Sequence, residues 1–174
     1  MAFLKHDITD LQAAGRFLQT LPYGRNSHPA NPAGVLDEER GTCSTKHALL
    51  ASLAREQRIS VQLTLGIYEM TEANTPGIGR ILDLHGLPLL PEAHCFVTYQ
   101  GIRVDVTRLA AAAEPIHSFL HEEPITPEQI GEYKVSMHRT FMQSWLIVNP
   151  DLARGQTLEH VWAIREACIA TLSL

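Results

Sequence analysis

Apolar positions recur along the chain with two different periods, and the switches between them divide it into elements. Leu11, Ala14, Phe17 and Leu18 fall on one side of a helix expected over residues 9–20, with Thr9 as its cap. Residues 21–34 then hold three prolines and two glycines, so a long loop follows, of the kind that often carries function in a compact domain. A glycine turn at Gly41 feeds a second helix, from Cys43 to about Gln57, in which Leu49, Leu50, Leu53 and Ala54 repeat at three and four residues. Beyond it the period drops to two. Val61, Leu63, Leu65 and Ile67 alternate with Gln62, Thr64 and Gly66, a strand with one face on the core, against which the helix lies. Residues 72–91 are broken by glycines and prolines and are expected to cover the end of the sheet, with one or two helical turns around Ile78 to Leu84.

Residues 94–107 read as two β-rich runs joined at Gln100-Gly101, a tight hairpin signal. A two- or four-residue turn puts Phe96 opposite Asp105 and makes His94 and Asp105 diagonal neighbours on one face; a three-residue turn pairs Asp105 with Cys95 instead. After an alanine-rich stretch at residues 109–113, Thr126-Pro127-Glu128-Gln129 carries a cap, a first-turn proline and a capping-box glutamine, so a short helix begins there. Tyr133, Val135 and Met137 alternate like a further strand, and residues 141–148 are apolar with either period. Asn149-Pro150-Asp151 is a turn. Thr157 opens a last helix with Leu158, Val161, Trp162, Arg165, Cys168, Ile169 and Leu172 at helical spacing, in which Trp162 and Cys168 are expected in the core. No repeat or boundary divides residues 1–174, which read as a single domain.

Composition narrows the partners. With 45% hydrophobic and 19% charged residues, the chain has the profile of a folded protein. A net charge of -5 with scattered Lys and Arg argues against nucleic acid. The apolar run in residues 1–21 is interrupted by Lys5, His6, Asp7, Asp10 and Arg16, so neither a signal peptide nor a membrane partner is expected. Three cysteines without a Cys-x-x-Cys pair argue against a disulfide framework and a cysteine-built zinc site; a reducing, cytoplasmic location fits best. No glycine-rich phosphate loop is present, and no cofactor or metal is expected. Oligomeric state stays open.

The chemistry gathers around Cys43. A helix N-terminus offers unpaired N–H groups and a partial positive charge, which favour thiolate over thiol. His94, opening a strand 51 residues later, would take and return the thiol proton, and Asp105 would orient the imidazole and stabilise its charged form. The Cys43 N–H is aimed at a developing oxyanion, and Tyr23, Asn26 and Asn31 are candidates for a second donor. His47, on the same helical face as Cys43, is expected to be exposed or packed, His85 has no evident partner, and Cys95 points to the opposite face of its strand into the core.

Gly41-Thr42-Cys43, His94-Cys95-Phe96 and Asp105-Val106-Thr107 together resemble the transglutaminase-like superfamily, whose motifs run Gly-x-Cys before an apolar helix, His-Ala-Trp or similar, then Asp-x-Thr. The resemblance spans residues 35–108. It departs at Phe96, where tryptophan is usual, and in the short hairpin. Calcium-binding loops, β-sandwich or barrel domains and zinc-binding cysteine pairs are missing, so protein cross-linking is unsupported. The resemblance implies an α+β, papain-like core with N-terminal helices packed on an antiparallel β-sheet, Cys43, His94 and Asp105 as a triad, and a peptide or small amide or ester as substrate. Proteases, amidases, acyltransferases and catalytically silent proteins all occur in the superfamily. Two readings follow: a cysteine hydrolase or acyltransferase working through a Cys43 thioester, or a silent binding module using the same groove. A metal site built from the three residues is a third.

Overall fold

A computed structural model describes residues 3, 8–107 and 113–172, and within them the chain is α+β, with helices packed around a four-stranded antiparallel sheet. The first helix, α1 (Leu11–Thr20), is capped by Asp10 rather than Thr9: Asp10 Oδ1 accepts the Ala13 N–H at 2.7 Å. The proline-rich loop follows and contains the single turn α2 (Gly34–Asp37). It is tied to the chain ahead of the cysteine by the Gly24 N–H on the Gly41 carbonyl (3.3 Å) and the Gly41 N–H on the Pro22 carbonyl (3.2 Å).

Helix α3 (Cys43–Glu56) starts at a reciprocal capping box between Thr42 and Thr45, so the nucleophile candidate occupies the first helical position. Strand β1 (Gln62–Met70) leads through an excursion bearing α4 (Gly79–Leu84) to β2 (Leu90–Tyr99), which turns back into the short β3 (Ile102–Val104). Both turn residues, Gln100 and Gly101, have positive φ (50° and 78°), and Tyr99 pairs with Ile102 and Val97 with Val104. The turn is therefore of the two-residue type, and its parity places His94 and Asp105 on one face, with Asp105 one residue past the end of β3.

Strand β4 (His121–Ile125) completes the sheet in the order β3-β2-β1-β4. Its sequence, His-Glu-Glu-Pro-Ile, carries no strand signature; it holds Pro124 because it lies at the sheet edge, where a missing N–H is tolerated. A 3-10 turn at Pro127–Gln129, with the anticipated capping box, leads into α5 (Glu132–Val148). The expected strand at Tyr133, Val135 and Met137 is thus helical. The residues that α5 buries are His138, Met142, Trp145 and Leu146, at helical spacing, while Tyr133 and Val135 are 44% and 46% exposed and pack no strand face. Residues 141–148 continue that helix. Asn149-Pro150-Asp151 opens the single turn α6 (Pro150–Ala153), and Thr157 caps α7 (Leu158–Thr171), which buries Cys168 and part of Trp162. Of the alanine-rich stretch, residues 109–112 lie outside those described.

One core lies between α1, α3 and the sheet, where Ala14, Leu18, Ala48 and Leu50 meet Leu65, Ile67, Cys95 and Val97. A second joins the end of the sheet to α4, α5 and α7 through Met70, Leu90, Ile78, Met142, Val161 and Cys168. No helix among the described residues is long and apolar enough to cross a membrane. On the face carrying His94, Phe119 lies against the backbone of Gly66, where an added Cβ would come within 2.2 Å of Phe119 Cδ1. The whole ring would have to move. Gly66→Ala is expected to cost about 1–3 kcal/mol, read as a lower urea midpoint at unchanged slope; an unchanged midpoint would show that Phe119 does not pack there.

Candidate active site

The two-residue turn makes Tyr99–Ile102 and Val97–Val104 the hydrogen-bonding pairs of the β2–β3 ladder, so the next would join Cys95 to Val106. It never forms. The first turn of α3 enters at that point: the Val106 N–H donates to His47 Nε2 at 2.8 Å, and the Cys95 N–H bonds to the sulfur of Cys43. His47 Nδ1 lies 2.7 Å from the Cys43 carbonyl oxygen. With Nε2 accepting, the ring proton sits on Nδ1 and is donated to that carbonyl. Burial, opposed chiefly by Asp105, pulls His47 down to about 4, so the ring is neutral and its approach to Asp105 Oδ1 (3.5 Å) is no ion pair. His47 is therefore a bracket between the backbone of Cys43 and the residue after Asp105.

His94 joins the remaining parts. Its Nε2 is 2.7 Å from Asp105 Oδ2, which leaves Nδ1 for its bond to the Cys43 sulfur. Asp105 Oδ1 accepts the Thr107 N–H at 2.8 Å, an Asx turn that fixes the carboxylate through the backbone of residue 107. Burial opposes every charge here. It raises the Cys43 thiol, but the positive charges of Lys134 and His94, the His94 hydrogen bond and the Cys95 N–H outweigh it and bring the group to about 6. Burial likewise lowers His94, yet the sulfur and Asp105 raise it to about 10. Burial would also raise Asp105, but the His94 charge and hydrogen bond hold it well below the usual carboxylate range. Between pH about 6 and about 10 the ground state is a thiolate-imidazolium pair backed by a carboxylate.

The capping box consumes the N–H groups of Thr42 and Thr45. Those of Cys43 and Ser44 have no acceptor among the described residues and converge on the mouth of the helix beside the sulfur. Of the proposed second donors, Tyr23 lines the cavity in front of Cys43, and burial above all pushes its hydroxyl far up, so it stays protonated. Neither Asn26 nor Asn31 lines the cavities beside Cys43. Asn26 Nδ2 donates to the Arg40 carbonyl at 2.9 Å and its oxygen accepts from Thr45 Oγ1 at 2.9 Å, while Asn31 Oδ1 accepts the Ala33 N–H at 3.1 Å. Both shape the loop. Two functional candidates went unread in the sequence: Ser44, and Lys134 of α5, whose Nζ donates to Ser44 Oγ at 2.7 Å. Nothing local marks Lys134 as belonging to the cysteine.

Cys43 borders a cavity of about 460 Å³ walled by Tyr68, Phe96, Ile116, Phe119 and Ile169, and a second of about 240 Å³ reached past Ser44. Glu92 lines both and is held ionised by a two-point bond from Arg165 of α7, Nε to Oε2 at 2.7 Å and Nη2 to Oε1 at 2.5 Å. His85 packs edge-on against His160, away from these cavities. Among the described residues no group of His, Cys, Asp and Glu side chains is arranged to hold a metal ion. Comparison with protein-family models, curated proteins and solved structures returns no match.

Because the charged form of Cys43 is the favoured one, its alkylation by iodoacetamide should rise with pH through a midpoint near 6 and level off well below the free-thiol value. Burial pushes Cys95 up to about 12 and Cys168 up to about 11, so neither should label in that window. Equal rates at all three, measured by peptide mass spectrometry, would contradict the assignment.

Proposed function

We propose that the chain is a cysteine-dependent hydrolase or acyltransferase of the papain-like, transglutaminase-like kind, acting on an amide, peptide or ester bond through a thioester on Cys43. The observation that carries the reading is His94, bonded at once to Asp105 Oδ2 at 2.7 Å and to the sulfur at the start of α3. The thiolate attacks the carbonyl carbon and the carbonyl electron pair moves onto oxygen, where the N–H groups of Cys43 and Ser44 receive it. His94 gives its proton to the leaving nitrogen or oxygen, the C–N or C–O bond breaks, and the acyl group stays on sulfur. Neutral His94 then takes a proton from water or an amine as that molecule attacks the thioester. The C–S bond breaks and the thiolate returns.

The walls of the larger cavity, Tyr68, Phe96 and Phe119, suit an apolar portion of the substrate. A silent binding module would gain nothing from an enclosed thiolate-imidazolium pair, whose desolvation is costly and whose partners are arranged for proton transfer.

Cys43→Ala and His94→Ala are each expected to abolish turnover of a panel of peptides, small amides and p-nitrophenyl esters while the circular dichroism spectrum is retained. Asp105→Asn should lose less, with kcat down by roughly 10²- to 10⁴-fold, because it orients the imidazole without touching the acyl group. Wild-type rates in the cysteine variant would remove the chemistry assigned here.

A further inference from the structure

The smaller cavity has a charge balance that the thioester chemistry leaves unresolved. Its charged side chains are Arg25, Lys134 and Arg165 against Glu92 and Glu166. Both carboxylates are already committed to guanidinium groups: Glu92 to Arg165, and Glu166 to Arg165 Nη1 at 2.6 Å and Arg25 Nη1 at 2.7 Å. His138 adds no charge: burial lowers it, against Glu92 and the Pro91 carbonyl 2.9 Å from its Nε2, which favour the protonated ring. The remaining cation is Lys134, whose hydrogen bond among the described residues is the one to Ser44 Oγ, leaving two of its three N–H donors unspent.

In the resting site the thiolate is its counter-charge: Ser44 Oγ is 3.8 Å from the Cys43 sulfur and 2.7 Å from Lys134 Nζ, so the ammonium is no more than about 6.5 Å from the sulfur. Once the sulfur is acylated that charge is gone, and an ammonium with two free donors faces a cavity of about 240 Å³ beside the acyl carbon. Such a volume accommodates a small fragment and not a chain. We propose that the smaller cavity is an anion subsite in which Lys134 holds a carboxylate of the substrate next to the scissile bond. The inference rests on the nucleophile reading of Cys43 and adds a substrate class to it: acyl compounds bearing a carboxylate close to the carbonyl, with their apolar portion in the larger cavity.

Iodoacetate and iodoacetamide have nearly the same shape and differ in charge, so the ratio of their alkylation rates at Cys43 isolates the subsite from the reactivity of the sulfur. In the wild-type protein that ratio should exceed the ratio for N-acetylcysteinamide, a neutral free thiol, by about tenfold, the size of one charge-assisted hydrogen bond. Lys134→Gln should bring it back to within about twofold of the free thiol, and Lys134→Arg should keep it raised. A wild-type ratio equal to that of the free thiol, or a raised ratio unaltered in Lys134→Gln, overturns the subsite. The wild-type comparison decides even if the glutamine variant fails to fold. Fast alkylation by iodoacetamide without a preference for iodoacetate defeats the subsite alone; slow alkylation by neutral iodoacetamide defeats the nucleophile reading and the subsite with it.

Discussion

Where β3 stops at Val104, two N–H groups of the sheet, those of Cys95 and Val106, lose their strand partners, and the first turn of α3 supplies new ones. A buried N–H without an acceptor is costly, so the constraint is strict. One is met by the sulfur of Cys43 and the other by the ring of His47, which passes its own proton to the Cys43 carbonyl. Cys43 is thereby fixed at its backbone and at its side-chain tip by the same break in the sheet. The chain leading into it is held as tightly: a Cβ on Gly41 would lie 2.9 Å from Lys46 Cγ and Val35 Cγ2, so only glycine lets that strand of loop pass. Lys46, fully enclosed, donates from Nζ to the carbonyls of Leu21 (2.6 Å) and Thr107 (2.9 Å), clamping the loop after α1 to the segment after Asp105.

Around that anchor, charge is concentrated where water is scarce. Cys43 and His94 are buried, and alone there neither would stay ionised, whereas Asp105 at one end of the chain of charges is 43% exposed. They persist as a chain of alternating sign, Lys134, the Cys43 thiolate, His94 and Asp105, with Glu92 and Arg165 as a separate bidentate pair behind it. Neutral members are as necessary as charged ones. His47 touches the carbonyl of Cys43 and lies near Asp105, and were it protonated it would place a second positive ring 6.1 Å from His94. Its burial prevents this and keeps the imidazolium on His94.

Much of this was legible along the chain. The three- and four-residue spacing of Leu49, Leu50 and Leu53 identified α3 with the cysteine at its head, and Gln100-Gly101 identified a hairpin whose parity joins His94 to Asp105. Both signals are local. Tyr133, Val135 and Met137 misled because their alternation reflects a partly exposed helix surface, while the true buried set of α5, His138, Met142, Trp145 and Leu146, mixes polar and apolar side chains. β4 was invisible because its pairing with β1, not its composition, makes it a strand. Asn26 resembled a catalytic donor by position and proved to be a loop tie by its bonding. Lys134 lies 91 residues from Cys43, and only the packing of α5 across the mouth of α3 brings it there.

Everything in the site turns on His94 carrying the proton and His47 not. Nitrogen-15 NMR of the imidazole rings at about pH 8, between the two midpoints of the pair, reads this directly. His94 is expected with both nitrogens protonated, reverting toward neutral in Cys43→Ala once the thiolate is removed, and His47 neutral with its proton on Nδ1 in both proteins. A neutral His94 in the wild type, or an imidazolium indifferent to loss of the sulfur, would contradict that assignment.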